Sequence, residues 1–280
     1  MIIKNNLILE QAQKRPILYD LYYNPSPKAL PLVIFSHGYK GFKDWGAWDL
    51  VAKSFAEAGF CFLKFNFSHN GGTIEQPIDF PDLEAFAKNN FSLELDDLDR
   101  LLKSLGFGVV NEEQKISTIS LIGHSRGGGT VIIKAAEDSR IAKVVTWASV
   151  SDFKARFQEN TPQFEKWKET GITYIENTRT KQQLPHYFQF YEDYKQNEER
   201  FHILTSVSKL SIPQLIIHGD NDETVAIKEA SAIHRANPNS VLEIIPGTDH
   251  VFGAVHPWEE NHLPEDLKKV TDITIDFLKQ

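Results

Sequence analysis

The chain has 280 residues, 41% of them hydrophobic and 24% charged, which is the balance of an ordinary globular protein and excludes extended disorder. Lys and Arg number 30 against 38 Asp and Glu, so the net charge of −8 repels phosphate backbones and nucleic acid is not an expected partner. The single cysteine, Cys61, can form neither an internal disulfide nor a thiolate-rich metal centre. No apolar run approaches the roughly 20 residues that span a bilayer, and Met-Ile-Ile-Lys-Asn-Asn at the start has no apolar signal core. The expectation is a soluble cytoplasmic protein.

In chain order, two possible strands come first, around Ile2 to Leu9 and Ile17 to Tyr22. Without a helix-length spacer between them they read as an antiparallel edge. Pro31 to Phe35 (PLVIF) is a short, continuous apolar run, the pattern of a strand buried on both faces. Ala47, Val51, Phe55 and Ala58 then recur at helical spacing, and Gly59 stands where a helix-ending glycine belongs. Phe60 to Phe67 predicts a strand. Leu98, Leu101, Leu102 and Leu105 predict an amphipathic helix ended by Gly106. A strand over Ile116 to Ile122 runs into GHSRGGG, followed by a helix over Val131 to Ala136. Strands over Lys143 to Ala148, Gln214 to His218 and Val241 to Ile245 come next. A last helix carries Leu267, Val270, Ile273 and Phe277. Alternating β and α units with apolar strands predict an α/β fold, a mainly parallel sheet covered by helices on both faces.

Residues 151–210 break that rhythm, because a βα connection needs far fewer positions. They hold 11 of the 32 aromatic residues, nearly twice the density elsewhere. The expectation is a helical cap inserted at about 151–210 into one domain spanning residues 1–280. Phe153, Phe157, Trp167 and Tyr187, together with Phe164 and Tyr191, are candidates to line an apolar cleft. The cap's own packing core is the competing role for these aromatics.

Gly123-His124-Ser125-Arg126-Gly127 matches G-x-S-x-G at a strand-to-helix turn, the placement a nucleophile elbow requires. Ser125 then stands at a helix N-terminus, where free N–H groups favour developing negative charge. A serine hydroxyl needs a base and a group to orient that base. His250, in GTDHVF just after a strand, is the candidate base, with His256 six residues on as the alternative. Asp222 in GDNDE is the candidate acid, with Asp220 and Asp152 as alternatives. A metal set of His218, Asp220 and Asp222 lacks a second histidine cluster, and no cofactor is expected. The backbone N–H groups of Tyr39, in HGYKG after the first parallel strand, and of Arg126 are the candidate oxyanion donors. His37 is expected to bond within its own loop, and Cys61 to be a buried small hydrophobe.

The elbow, HGYKG, HGDNDETV and DHVF occur in the order of the α/β-hydrolase superfamily. Over roughly residues 30–280 the chain resembles its dienelactone-hydrolase-like and feruloyl (cinnamoyl) esterase-like branch, which is related to the acylaminoacyl peptidases. GFKDWG and HPW also resemble that branch. The resemblance implies Asp222 as the acid of H-G-x-x-D-x-x-V, His250 as the base and Tyr39 as the residue after H-G. Dienelactone hydrolases carry a cysteine where this chain has Ser125. The expected activity is a serine hydrolase cleaving a small-molecule carboxylic ester, with a short-peptide peptidase and a non-catalytic binding scaffold as alternatives.

Overall fold

The computed structural model describes residues 1–105 and 114–280. Its first half contains β1 (Ile2–Leu9), β2 (Ile17–Tyr23), β3 (Leu30–Ser36), α1 (Trp48–Glu57), β4 (Cys61–Phe65), α2 (Leu83–Lys88) and α3 (Phe91–Ser104). Then follow β5 (Ile116–His124), α4 (Arg126–Glu137), β6 (Ile141–Trp147), α5 (Pro162–Thr170), β7 (Ile172–Glu176) and β8 (Gln183–Tyr187). The last elements are α6 (Gln189–Gln196), α7 (Ile203–Ser208), β9 (Gln214–Gly219), α8 (Lys228–Ala236), β10 (Val241–Ile245) and α9 (Glu265–Lys279). Gly106, expected to end α3, lies outside the described residues.

Among the described residues, eight strands form one sheet in the order β1-β2-β4-β3-β5-β6-β9-β10. From β4 to β10 all neighbours are parallel, and β1 and β2 supply the antiparallel edge. The apolar runs are continuous because each strand feeds two cores. In β3, Val33 and Phe35 join the cluster beneath α1 and α9, while Leu32 and Ile34 join the cluster beneath α3. Phe62 and Leu63 of β4 divide the same way. Helix α1 ends as its sequence predicts: Gly59 has φ +93°, its N–H donates to Ala56 O, and the Phe60 N–H donates to Phe55 O.

Helix α4 starts at Arg126, where the elbow reading puts a helix N-terminus, and so runs ahead of the apolar segment at Val131, with its glycines helical despite their poor propensity. One expectation changes. The insertion is not purely helical: β7 and β8 pair as an antiparallel two-stranded sheet among α5, α6 and α7. Its aromatics also pack among themselves. Phe153 stacks on Phe91 of α3 at 3.9 Å between ring centroids, and Phe157 meets Trp167, Phe190, Tyr191 and Tyr194.

Candidate active site

The end of β5 and the start of α4 are joined by Ser125 alone, at φ +56° and ψ −121°, a backbone region a side-chain-bearing residue seldom adopts. The turn closes so tightly that a Cβ on Gly123 would stand 2.3 Å from Gly127 O, and one on Gly127 2.5 Å from Ser36 O. Only glycine fits at either position. The Ser125 N–H donates to Trp147 O on neighbouring β6, which fixes the turn to the sheet.

Two loops at the same sheet end complete a relay. The loop after β10 brings His250 Nε2 to 3.0 Å from Ser125 Oγ, and the loop after β9 brings Asp222 Oδ2 to 2.7 Å from His250 Nδ1. An ionised carboxylate only accepts, so Nδ1 carries the imidazole proton and Nε2 is free to accept the serine O–H. Asp222 Oδ1 accepts the N–H groups of Thr224 and Val225, each at 2.8 Å, and His218 Nε2 lies 3.2 Å from Oδ2. Burial favours the neutral acid, but the bonds from His218, His250 and the Val225 N–H outweigh it. Together they hold the Asp222 carboxyl well below the ordinary carboxylate range.

The alternatives fall elsewhere. Asp220 Oδ1 accepts the Gly247 N–H, Asp152 Oδ1 accepts the Lys154 N–H, and His256 Nδ1 accepts the Gly46 N–H. The last contact joins HPW to GFKDWG, with Phe42 and Trp45 against the His256 ring. His37 bonds within its loop as expected, through Nδ1 to Gly38 O at 2.9 Å. Cys61 is fully buried, and burial pushes its thiol up to about 12.

Gly38 packs directly on the elbow, since a Cβ there would lie 2.8 Å from Ser125 Cβ. The Gly41 N–H donates back to Gly38 O, so Tyr39 and Lys40 are the central residues of a tight turn, with Lys40 at φ +56°. That turn puts Tyr39 next to the residue that packs on Ser125, and Tyr39 and Ser125 line one cleft. The Arg126 N–H opens α4 and has no partner within the helix. Its guanidinium pairs with buried Glu94 at 2.6 Å and lies over the Tyr39 ring.

A cleft of about 500 Å³ opens over Ser125, with Tyr39 and Arg126 on its wall. Phe153, Phe157 and Trp167 line it as expected, and so does Phe164. Tyr187 and Tyr191 do not. The Tyr187 hydroxyl turns outward to Glu84 at 2.6 Å, and that of Tyr191 to Glu159. Phe91, Phe190 and His186 line the cleft without having been singled out in the sequence. A further residue missed there is His124, whose Nε2–H donates to His250 O at 2.9 Å. Burial first, then the neighbouring His250, lowers the His124 pKa to about 3, so its ring is neutral.

The carboxylates of Asp20, Asp44 and Asp49 stand close enough together to hold a metal ion. The ammonium groups of Lys43 and Lys64 occupy that cluster, with Lys64 Nζ 2.7 Å from Asp20 and 2.6 Å from Asp49. Two fixed cations already balance two of the three negative charges, so the cluster is a partly buried ion-pair network rather than a vacant cation site. No helix among the described residues is long and apolar enough to cross a membrane.

No family model matches the chain. A human protein, serine hydrolase BPHL, is 30% identical over 166 residues, and the match takes in 55% of each chain. The chain therefore aligns with about half the length of that relative. Among solved structures, Est1E from Butyrivibrio proteoclasticus superposes with a TM-score of 0.70 at 18% identity, over 99% of this chain and 98% of its own. The same protein with ferulic acid bound gives 0.69 over 98% of both chains, again at 18% identity. A putative hydrolase from Agrobacterium vitis gives 0.73 at 17% identity over 99% of both chains. Sheet order, the elbow between β5 and α4 and these superpositions lead to one conclusion: the chain has the α/β-hydrolase fold.

Proposed function

We propose that the protein is a serine hydrolase that cleaves carboxylic esters with a bulky apolar, aromatic acyl group. The observation that carries this reading is the unbroken relay from Ser125 Oγ through His250 to Asp222. Ser125 Oγ bonds to the ester carbonyl carbon while its proton passes to His250 Nε2. The Asp222 carboxylate stabilises the imidazolium that forms. The Tyr39 and Arg126 N–H groups receive the carbonyl oxygen as it becomes negative. The tetrahedral intermediate then breaks its bond to the alcohol oxygen, which leaves with the proton from His250. Water adds to the acyl-enzyme with His250 again as base, the acid departs and Ser125 regains its proton.

The aromatic wall contributed by Phe153, Phe157, Phe164 and Trp167 supports an apolar acyl group, and the insertion then acts as a cap over the site. Ferulic acid, an aromatic acid, is what the similarly folded Est1E holds. A panel of p-nitrophenyl esters beside aminoacyl p-nitroanilides tests the reading. The expected result is turnover of the esters, with arylalkanoyl chains above acetyl, and anilides far slower. Preference for anilides would make the protein a peptidase. Folded protein that turns over neither would be a binding scaffold.

A further inference from the structure

We infer that His186 is a specificity-determining residue: its Nδ1–H forms a polar subsite in the aromatic wall of the cleft and binds an oxygen acceptor carried by the acyl group. An ether, carbonyl or hydroxyl oxygen has the required chemistry. The inference rests on the ester-hydrolase reading and adds a feature of the substrate that the relay does not specify.

His186 sits on β8, is 6% exposed and lines the cleft. Its position is fixed from several sides. The backbone carbonyl accepts the Trp167 indole N–H at 2.8 Å, and the ring stacks on Phe190 and meets the edge of Phe86. Its Nε2 lies 2.7 Å from the Tyr39 hydroxyl.

Proton accounting then assigns the tautomer. The Tyr39 phenol is pushed up to about 12, chiefly by burial, so it keeps its proton. It has no other acceptor among the described residues, so the phenol O–H donates to Nε2. Burial, with Arg126 and Lys40 nearby, lowers the His186 pKa to about 3, so the ring carries a single proton, on Nδ1.

That Nδ1–H has no partner among the described residues, yet it is not one of the sealed, unsatisfied atoms of the interior. His186 is a lining residue of the cleft, so we take the cleft as the space this donor serves. A buried polar group left without a partner costs about 1–3 kcal/mol, so a hydrocarbon acyl chain that displaces water from Nδ1 is penalised. An acyl chain with an oxygen at the right place is not. The donor lies on the far side of the ring from the Tyr39 bond. The subsite therefore discriminates within the acyl group rather than acting on the scissile carbonyl.

The test compares kcat/KM for p-nitrophenyl 3-phenylpropanoate with its 2-, 3- and 4-methoxy derivatives, in the wild type and in His186→Phe. Phenylalanine keeps the ring stack and removes both nitrogens; His186→Leu replaces it if that variant does not fold. Ratios between substrates cancel any damage to machinery they all share. The expected result is a preference of about tenfold for at least one methoxy isomer, as one hydrogen bond provides, collapsing to about onefold in the variant. Wild-type ratios all within about threefold, or an undiminished preference in the variant, would overturn the inference, as would turnover of p-nitrophenyl butyrate but of none of the four aryl esters. Failure to hydrolyse any of the five esters would instead remove the ester-hydrolase reading on which it stands.

Discussion

His124 Nε2 donates to the backbone carbonyl of His250 across 2.9 Å, so the residue before the candidate nucleophile holds the main chain of the candidate base. The two imidazoles lie 4.8 Å apart between centroids, and Trp48 packs against His124 at 5.6 Å. Elbow and base loop, remote in sequence, therefore share one small assembly.

His124 thus acts as a positioning residue. His124→Phe keeps an aromatic ring beside Trp48 but leaves the His250 carbonyl without its donor. Such a loss is worth about 1–2 kcal/mol, or roughly tenfold in rate. We expect kcat to fall by about that factor with KM little changed, measured by steady-state ester hydrolysis. An unchanged kcat in a folded variant would show that the base loop holds its place without this bond.

The Tyr39 turn separates backbone from side chain. Proline lacks an N–H but is favoured at the first central position of a turn whose second central residue has positive φ, as Lys40 does. Tyr39→Pro should therefore fold yet lose about 100- to 1000-fold in kcat, the usual effect of removing one oxyanion donor. Tyr39→Phe should keep most of its turnover. Near-normal activity in folded Tyr39→Pro would place the donor elsewhere.

Within the insertion, Phe157→Ala and Trp167→Ala should change the ranking of acyl-chain lengths, because both side chains line the cleft. Both are also buried, so each should lower stability by about 3–5 kcal/mol. Tyr187→Phe should leave the ranking unchanged, since that hydroxyl bonds Glu84 outside the cleft. The measurement is relative kcat/KM across p-nitrophenyl esters from acetyl to octanoyl and 3-phenylpropanoyl.

Legibility in the sequence followed the range of the interactions. Ser125, Gly123 and Gly127 were readable because the elbow is a local chain reversal whose requirements lie within five residues. Asp222 and Asp220 sit in one loop, so only the direction of each side chain separates them; Asp222 faces His250 and Asp220 faces Gly247. His124 and His186 act across 126 and 147 positions, and no pattern near either residue marks such a partner. The β7–β8 hairpin was missed because its strands are short and one edge is exposed, leaving little apolar alternation.

Stability should fall as the solution is acidified. The fold lowers His37 to about 4 and His124 and His186 to about 3, in each case chiefly by burial. Unfolded histidines take up protons below about 6.5. The unfolded state therefore binds more protons from there down to the folded values, and folding free energy is lost across that window. Buried Asp97 works in the opposite sense, because burial pushes it up to about 7, but it stands against these three histidines and His69, which burial also lowers to about 4. The urea midpoint should be lower at pH 5 than at pH 8, with a smaller drop in His124→Gln. A midpoint independent of pH would mean that these rings titrate as they do in water.

The central claim is that Ser125 is a nucleophile activated by His250 and Asp222. It is tested most directly by incubating folded protein with a fluorophosphonate and locating the adduct by intact mass and peptide mapping. The predicted result is one adduct, on Ser125, absent in Ser125→Ala and formed far more slowly in His250→Ala, with Ser125→Ala/His250→Ala no worse in ester turnover than Ser125→Ala alone. Folded wild-type protein that takes up no label, or takes it up at another residue, would contradict the account.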